Sequence, residues 1–525
     1  MDRRKLLSKF LTSESKVTQL EEDTRPLTFK RANHLLRRMA FQPSIEEINY
    51  FIGKTPTEAV NLLLGDGQDY LPQNSNRLPN PDSDLNFIDD PMQNPKSVPN
   101  PLSASLEGQM NGRYRQVVDW IINIAASENY IQGSVSEKLT HFLMSIWCIE
   151  FTYDGDYQIP ANSLILNNQT LRKYRLGSYI DIAKEMTLDG AMLLYQSAHL
   201  SRKEAPNENY ARELLELFTM GIGHYSEGDI QEIAKIMTGW RTSPFLGDPH
   251  RNGYFQTWLD SDAHYTGSKR VFNIEFPALT EQENNEFKVK TNEIYKLIEG
   301  LFEIRGEAIS KFICDKIFKY FVYSNPNEVD QDVIDQLSQT MITNNYSLLP
   351  VYKQLFTSTY FYEDANIGCQ IKTPLEFVFG MQRLFGKSLE KPREALTDLE
   401  QVIYEPPNVS GWIGYRTWIS TTTYPVRVDF AYKNVQSLTN EELSNLVDQI
   451  YNKQNMTEFM NELLLSFYAK DLELSYFNKY FNIFNSNNIN DTNWTTSVSN
   501  KTNNFLAGLR QVIVEIVQSP LFNLC

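Results

Sequence analysis

Glu208, Arg212 and Glu216 stand four residues apart in the stretch PNENYARELLELFTMG. Glu213 adds a further carboxylate beside the apolar residues Leu214, Leu215, Leu217 and Phe218. Residues four apart share a helix face, so the Arg212 guanidinium meets both flanking carboxylates. In a half-buried place such a cluster shifts carboxylates away from their ordinary protonation range, which is what general acid–base chemistry requires. Glu208, Glu213 or Glu216 together with Glu150 would supply the two carboxylates of a glycosidase. The same spacing also suits a solvated helix face laced with ion pairs. The site reading expects Arg212 to be largely buried and to bridge carboxylates of its own helix and of another.

The elements that must hold these groups are legible around them. Pro206 suits a first helical turn and Asn207 can cap it. Gly221 and Gly223 stop that helix, and Ser226 with Glu227, Asp229 and Glu232 starts the next, which runs toward TGW at residues 238–240. Ser44 with Glu46 and Glu47, and Thr55-Pro56-Thr57-Glu58, mark two further helix starts. Strong helical patterning resumes over residues 113–151, recurs over 174–198, dominates 284–384, returns over 391–403 and closes the chain over 440–484 and 504–517. Residues 251–276 are aromatic, alternating and Gly-punctuated, and predict a small β-hairpin insertion. The fold class is therefore mainly α: a large multi-helix globular unit with that insertion and a long irregular N-terminal segment. Residues 1–26 form an N-terminal arm and 27–65 the first helices. Residues 66–112 are a Pro/Asn-rich segment without period, over most of which no regular structure is expected. Residues 113–435 form the helical core and 436–525 a C-terminal helical region.

The blocks carry a resemblance. PNENYARELLELFTMG followed by TGW, ANHLLRRMAF at 32–41, SDAHYTGSKRVFN at 261–273, KTPLEFVFGMQRLFG at 372–386 and PPNVSGWIGYRTWIS at 406–420 together resemble the bacterial domain-of-unknown-function 1800 family. The likeness runs from about residue 27 to the end. It implies a shared fold and no established reaction. It also implies an exported, sulfatase-like partner protein, and with it an envelope setting.

The chain departs from the family pattern at residues 146–151, IWCIEF. The resemblance leads one to expect Trp-His-x-His-Phe there, and Cys148 and Glu150 occupy the two His positions. The usual His-Asp pair is His264–Tyr265, followed by the matching Gly267 and Lys269. Cys148 in the core and Glu150 in a salt bridge is one outcome; a divalent metal held weakly by Glu150 and His264 is another. His34 and Arg38 share a helix face and stand as binding candidates, as do Asn207, Asn209 and Lys269. The loop at 404–420 adds Asn408, Trp412 and Trp418, whose rings can cover a pocket or a sugar. One concavity ringed by Trp412, His264, Arg38 and the 207–216 helix is the expectation.

Other chemistries lack support. The six histidines are His34, His141, His199, His224, His250 and His264, and none makes HxxxH or HExxH. No P-loop, GxSxG or EF-hand spacing occurs. Four cysteines lie far apart without a CxxC pair. A formal net charge of −16 argues against nucleic-acid binding. No apolar run of about 18 residues predicts a transmembrane helix. The start, MDRRKLLSKFLTSESK, has an Arg pair but lacks the apolar run of roughly 7–15 residues that export signals need, so the expectation is cytoplasmic; partner-dependent export to the periplasm or surface is the alternative. Two functions follow. One is an envelope-associated protein that binds glycan or protein, with an eroded ancestral site. The other is a metal- or carboxylate-dependent hydrolase of glycan or envelope polymer.

Overall fold

The computed structural model describes residues 20–65, 104–126, 131–153, 157–242, 257–284, 287–468, 470–472 and 474–525. Among them are 22 α-helices and three two-stranded antiparallel sheets. One hydrophobic cluster runs from Leu20 to Phe522, so the first helices and the last share a core. Asn33 donates to the Leu465 carbonyl at 2.6 Å, and the helix Phe29–Met39 packs on Met456–Tyr468.

Helix starts follow from capping chemistry. Ser44 with Glu47, Thr55 with Glu58, Ser226 with Asp229 and Thr373 with Glu376 form reciprocal capping boxes. Asn207 caps the signature helix Glu208–Glu216 by accepting from the Asn209 N–H at 3.0 Å. The longest helix, Phe287–Phe321, bends at Arg305, which lies at φ −120°. Tyr346 wedges in there and donates to the Phe302 carbonyl at 2.8 Å, an inserted side chain being a recognised cause of a kink.

The β-insertion is two pairings rather than one hairpin. Trp240–Thr242 pairs with Thr257–Leu259, in register Arg241 opposite Trp258, and Lys269–Val271 pairs with Ile274–Phe276. A further pair joins Thr152–Tyr153 to Tyr157–Gln158. Residues 243–256 lie outside the described residues, as do 66–103 of the segment expected to be irregular. In the remainder of that segment the helix expected from residue 113 starts earlier, and it spans Ala104–Ala125. Met110, Val117 and Ile121 keep helical spacing on its buried side, so the period runs straight through Gly112. The helix expected over 391–403 is shorter, Pro392–Asp398.

Candidate functional site

The helix Ile131–Ile146 ends at the IWCIEF segment, and the backbone turns there toward the loop after Ile403. The Phe151 N–H donates to the Tyr404 carbonyl at 2.7 Å, Tyr114 stacks on Phe151 at 4.0 Å and donates to the Ile403 carbonyl, and Tyr404 takes a left-handed φ of 62°. This pairing sets Glu150 beside Glu405. Glu405 accepts hydrogen bonds from the hydroxyl and backbone N–H of Thr152. Burial and then the charge of Glu150 nevertheless push its carboxyl up to about 7. Burial also raises Glu150, against a hydrogen bond from Tyr195. The Tyr195 phenol is pushed up by burial and then by Glu150, Cys148, Glu213 and Glu405 in turn. Glu213 is raised by burial and by the like charge of Glu216, with Arg212 opposing. Carboxylates from the IWCIEF segment, the 403–418 loop and the signature helix thus converge on one tyrosine.

Beside them the loop closes over Cys148. Gly411 has φ 80°, and a Cβ there would stand 2.8 Å from the Cys148 Sγ and 3.2 Å from the Ser145 carbonyl. No side chain fits at that approach. Burial pushes the Cys148 thiol up to about 12, and it donates only to the Met144 and Ser145 carbonyls at 3.3 Å. Under this lid lies a chamber of about 40 Å³ walled by His141, Cys148, Tyr320, Gln401, Tyr404 and Trp412. His141 is buried, its Nε2 has no hydrogen-bond partner among the described residues, and burial holds its pKa at about 3. Through Ser145, Tyr320, Gln401 and Trp412 the chamber shares walls with an outer cleft of about 200 Å³, which adds Lys316 and Trp418. Glu150 and Glu405 are chain neighbours of chamber residues Ile149, Tyr404 and Pro406.

The remaining sequence candidates are placed differently. His264 is buried, with Nδ1 2.7 Å from the Thr238 carbonyl and Nε2 3.1 Å from Glu293, and Lys269 completes the group 2.7 Å from the other Glu293 oxygen. Gly239, at φ 80°, lets this segment in: its Cβ would meet the Asp260 carbonyl at 2.7 Å. Burial works against the Glu293 charge, but the bonds from His264 and Lys269 hold its carboxyl below the usual range. Both ring nitrogens of His264 are thus committed to protein acceptors, and neither is directed to Glu150. Among the described residues no group of three or more His, Cys, Asp or Glu side chains is arranged to hold a metal ion.

Arg212 does pair with carboxylates of two helices, Glu227 at 2.7 Å and Glu216 at 3.8 Å, but its side chain is 34% exposed. That corrects the expected burial: the guanidinium clips two helices at the surface, because the apolar stripe of Tyr210, Ala211, Leu214 and Leu215 turns the opposite face inward. Glu208 is exposed, and Glu216 accepts from the Tyr225 hydroxyl. Asn207 and Asn209 fasten the preceding turn through the Gln196 carbonyl and side chain. Asn408 closes an Asx turn with Ser410. His34 is buried against Phe361, 3.0 Å from its carbonyl, and burial holds it neutral. Arg38 is buried behind the cleft, donating to the Asn366 carbonyl at 3.2 Å. Its charge, after that of Lys138, helps hold cleft residue Glu376 ionised against burial. Glu405, Tyr195, His141 and Lys316 escape sequence reasoning. The one available signal is Glu405 itself, an acid directly preceding the Pro406-Pro407 turn.

No curated protein and no solved structure matches this chain. The pattern of a single family covers it almost end to end, from residue 34 to residue 524, and takes in the helix end, the signature helix and the Trp412 loop that converge above. The chain belongs to that family, described as a protein of unknown function, DUF1800.

Proposed function

We propose that the Glu150–Glu405 pair is the acid–base centre of a hydrolase acting on a glycan. The supporting observation is Glu405, whose carboxyl is held at about 7 by burial and by Glu150. A carboxyl poised near neutrality can give a proton to a departing oxygen while its ionised neighbour acts as base or nucleophile. Tyr195 orients Glu150, and Trp412 and Trp418 supply ring faces for a sugar. An envelope polymer as substrate, and a sulfatase-like partner, are proposals carried by the family resemblance.

The test is release of reducing ends from a panel of soluble polysaccharides and 4-nitrophenyl glycosides. Glu405→Gln should lower turnover by about 10²–10⁴-fold and remove a pH limb near 7. A second readout does not need a substrate. The folded state keeps a proton on Glu405 that the unfolded chain has already released, so stability falls as pH rises from the ordinary value of 4.5 to about 7. Glu405→Gln should abolish that fall and melt higher than wild type at pH 8. Binding without turnover is the second reading, favoured by Cys148 lying sealed beneath Gly411 at one of the positions where the family resemblance leads one to expect His. Oligosaccharide binding with no hydrolysis of any panel member would establish it.

A further inference from the structure

Lys311, Lys316 and Lys319 lie on the helix Phe287–Phe321. Lys311 pairs with Asp335 at 2.6 Å and Lys319 with Asp315 at 2.7 Å. Between them, Lys316 makes no hydrogen bond or ion pair among the described residues; its ammonium stands 4.7 Å above the Phe312 ring. It also occupies a junction. It lines the outer cleft with Trp412 and Trp418, and it lines a long open groove of about 1090 Å³ that passes Glu216, Arg305 and Tyr346.

The groups whose charge is felt most at Lys316 are Asp315, which is already engaged by Lys319, and Lys319 itself, and the neighbouring Cys148 thiol is neutral. Further along, the groove also carries Glu216, Glu303 and Glu307. Glu376, the carboxylate on the cleft wall, is taken by Lys138 at 2.7 Å. A half-buried ammonium without an ion-pair partner among the described residues carries a cost, and an anion brought to it restores the balance. The apolar rings of Phe312, Tyr320 and Trp412 around it lower the local dielectric and strengthen that attraction.

We infer that Lys316 is an anion-recognition residue, which binds a carboxylate or sulfate substituent of a glycan chain running from the groove into the cleft. The glycan half of this inference rests on the function proposed above; the anion half rests on Lys316 alone.

Lysine acetylation by a water-soluble N-hydroxysuccinimide ester, mapped by peptide mass spectrometry on the intact protein, tests it. Lys316 should acetylate faster than Lys311 and Lys319. Either trigalacturonate or a sulfated galactose trisaccharide should protect it, and whichever does so identifies the anion as carboxylate or sulfate. Neutral galactotriose should not protect it. Calorimetric affinity for the protecting oligosaccharide should fall by about tenfold in Lys316→Met and be retained in Lys316→Arg, the scale expected for a hydrogen bond to a charged group. Equal protection by the neutral trisaccharide overturns anion recognition and leaves the glycan cleft standing. Acetylation no faster than at Lys311 and Lys319, or no protection by either anion, overturns the role of Lys316, while the hydrolysis assay on Glu405→Gln decides the acid–base centre separately.

Discussion

Glu293 and Glu405 are both shielded from water, and they behave in opposite ways. Glu293 receives His264 and Lys269 on its two oxygens and is held below the ordinary carboxylate range. Glu405 receives only Thr152, faces the like charge of Glu150, and is raised to about 7. The desolvation cost is common to both, so the difference lies in the partners. Where each buried charge is matched, the cluster locks the β-insertion onto the helix Phe287–Phe321 and leaves nothing for a ligand. Where charges are left unmatched, as at Glu405 and Lys316, the fold carries a cost that chemistry or binding can recover. Of the two segments where the family resemblance leads one to expect histidine, the one that keeps it, at His264, spends both ring nitrogens on Thr238 and Glu293, and the one that lacks it brings Glu150 to Glu405.

The comparison breaks most sharply at Glu293. Glu293→Gln leaves Lys269 buried without its anion and should cost about 3–5 kcal/mol, read by urea or thermal unfolding. The pH dependence has a definite sign. A carboxyl lowered on folding contributes stability that is present above its ordinary value of 4.5 and is lost as pH falls through the folded value. Wild type should therefore lose stability on acidification below 4.5 more steeply than Glu293→Gln. Equal slopes would mean that the His264–Glu293–Lys269 group is not the matched cluster described.

A smaller effect probes the cleft side. Gly411→Ala introduces a Cβ at φ 80° and 2.8 Å from the Cys148 Sγ, with an expected cost of about 1–3 kcal/mol. In a Cys148→Ala background the sulfur contact disappears, while the backbone strain and the 3.2 Å approach to the Ser145 carbonyl persist. The double variant should therefore be less destabilised than the sum of the singles, by about 1 kcal/mol. Strict additivity would show that the loop does not seat on Cys148.

Much of the fold was legible because its signals are local. Ser44-x-x-Glu47 and Thr55-x-x-Glu58 each report a helix start within four residues, and both helices begin there. The start of the helix Ala104–Ala125 is not legible because the Pro- and Asn-rich composition before it shows no period, although from Met110 a buried stripe passes Gly112. The proposed site is legible in part. Glu150, Glu213, Trp412 and Trp418 stood out by type and setting. Glu405 did not, because its raised pKa depends on a backbone pairing between Phe151 and Tyr404 that are some 250 residues apart. Lys316 is one of several lysines on its helix, and only tertiary packing distinguishes the unpaired one from Lys311 and Lys319. His264 and Arg38 are unusual polar residues by sequence, and burial, which the sequence does not display, decides what they touch: Thr238 and Glu293 for one, the Asn366 carbonyl for the other.

The smallest effect is expected where the sequence cluster is densest. Arg212 is flanked by acids at i−4, i+1 and i+4, which invites the inference of a buried network whose rupture would be severe. In the folded chain it is one-third exposed, and its main partner Glu227 is 67% exposed. Water then solvates each ion nearly as well as the partner does, and the side-chain entropy of holding the pair offsets most of the attraction. Arg212→Met should accordingly leave the melting curve close to wild type at physiological salt, with a slight downward shift at low salt where screening is weaker. A large loss at both salt concentrations would move Arg212 into the class of matched buried charges beside Lys269. It would also tie the signature helix to stability rather than to Glu213 and its place beside Tyr195.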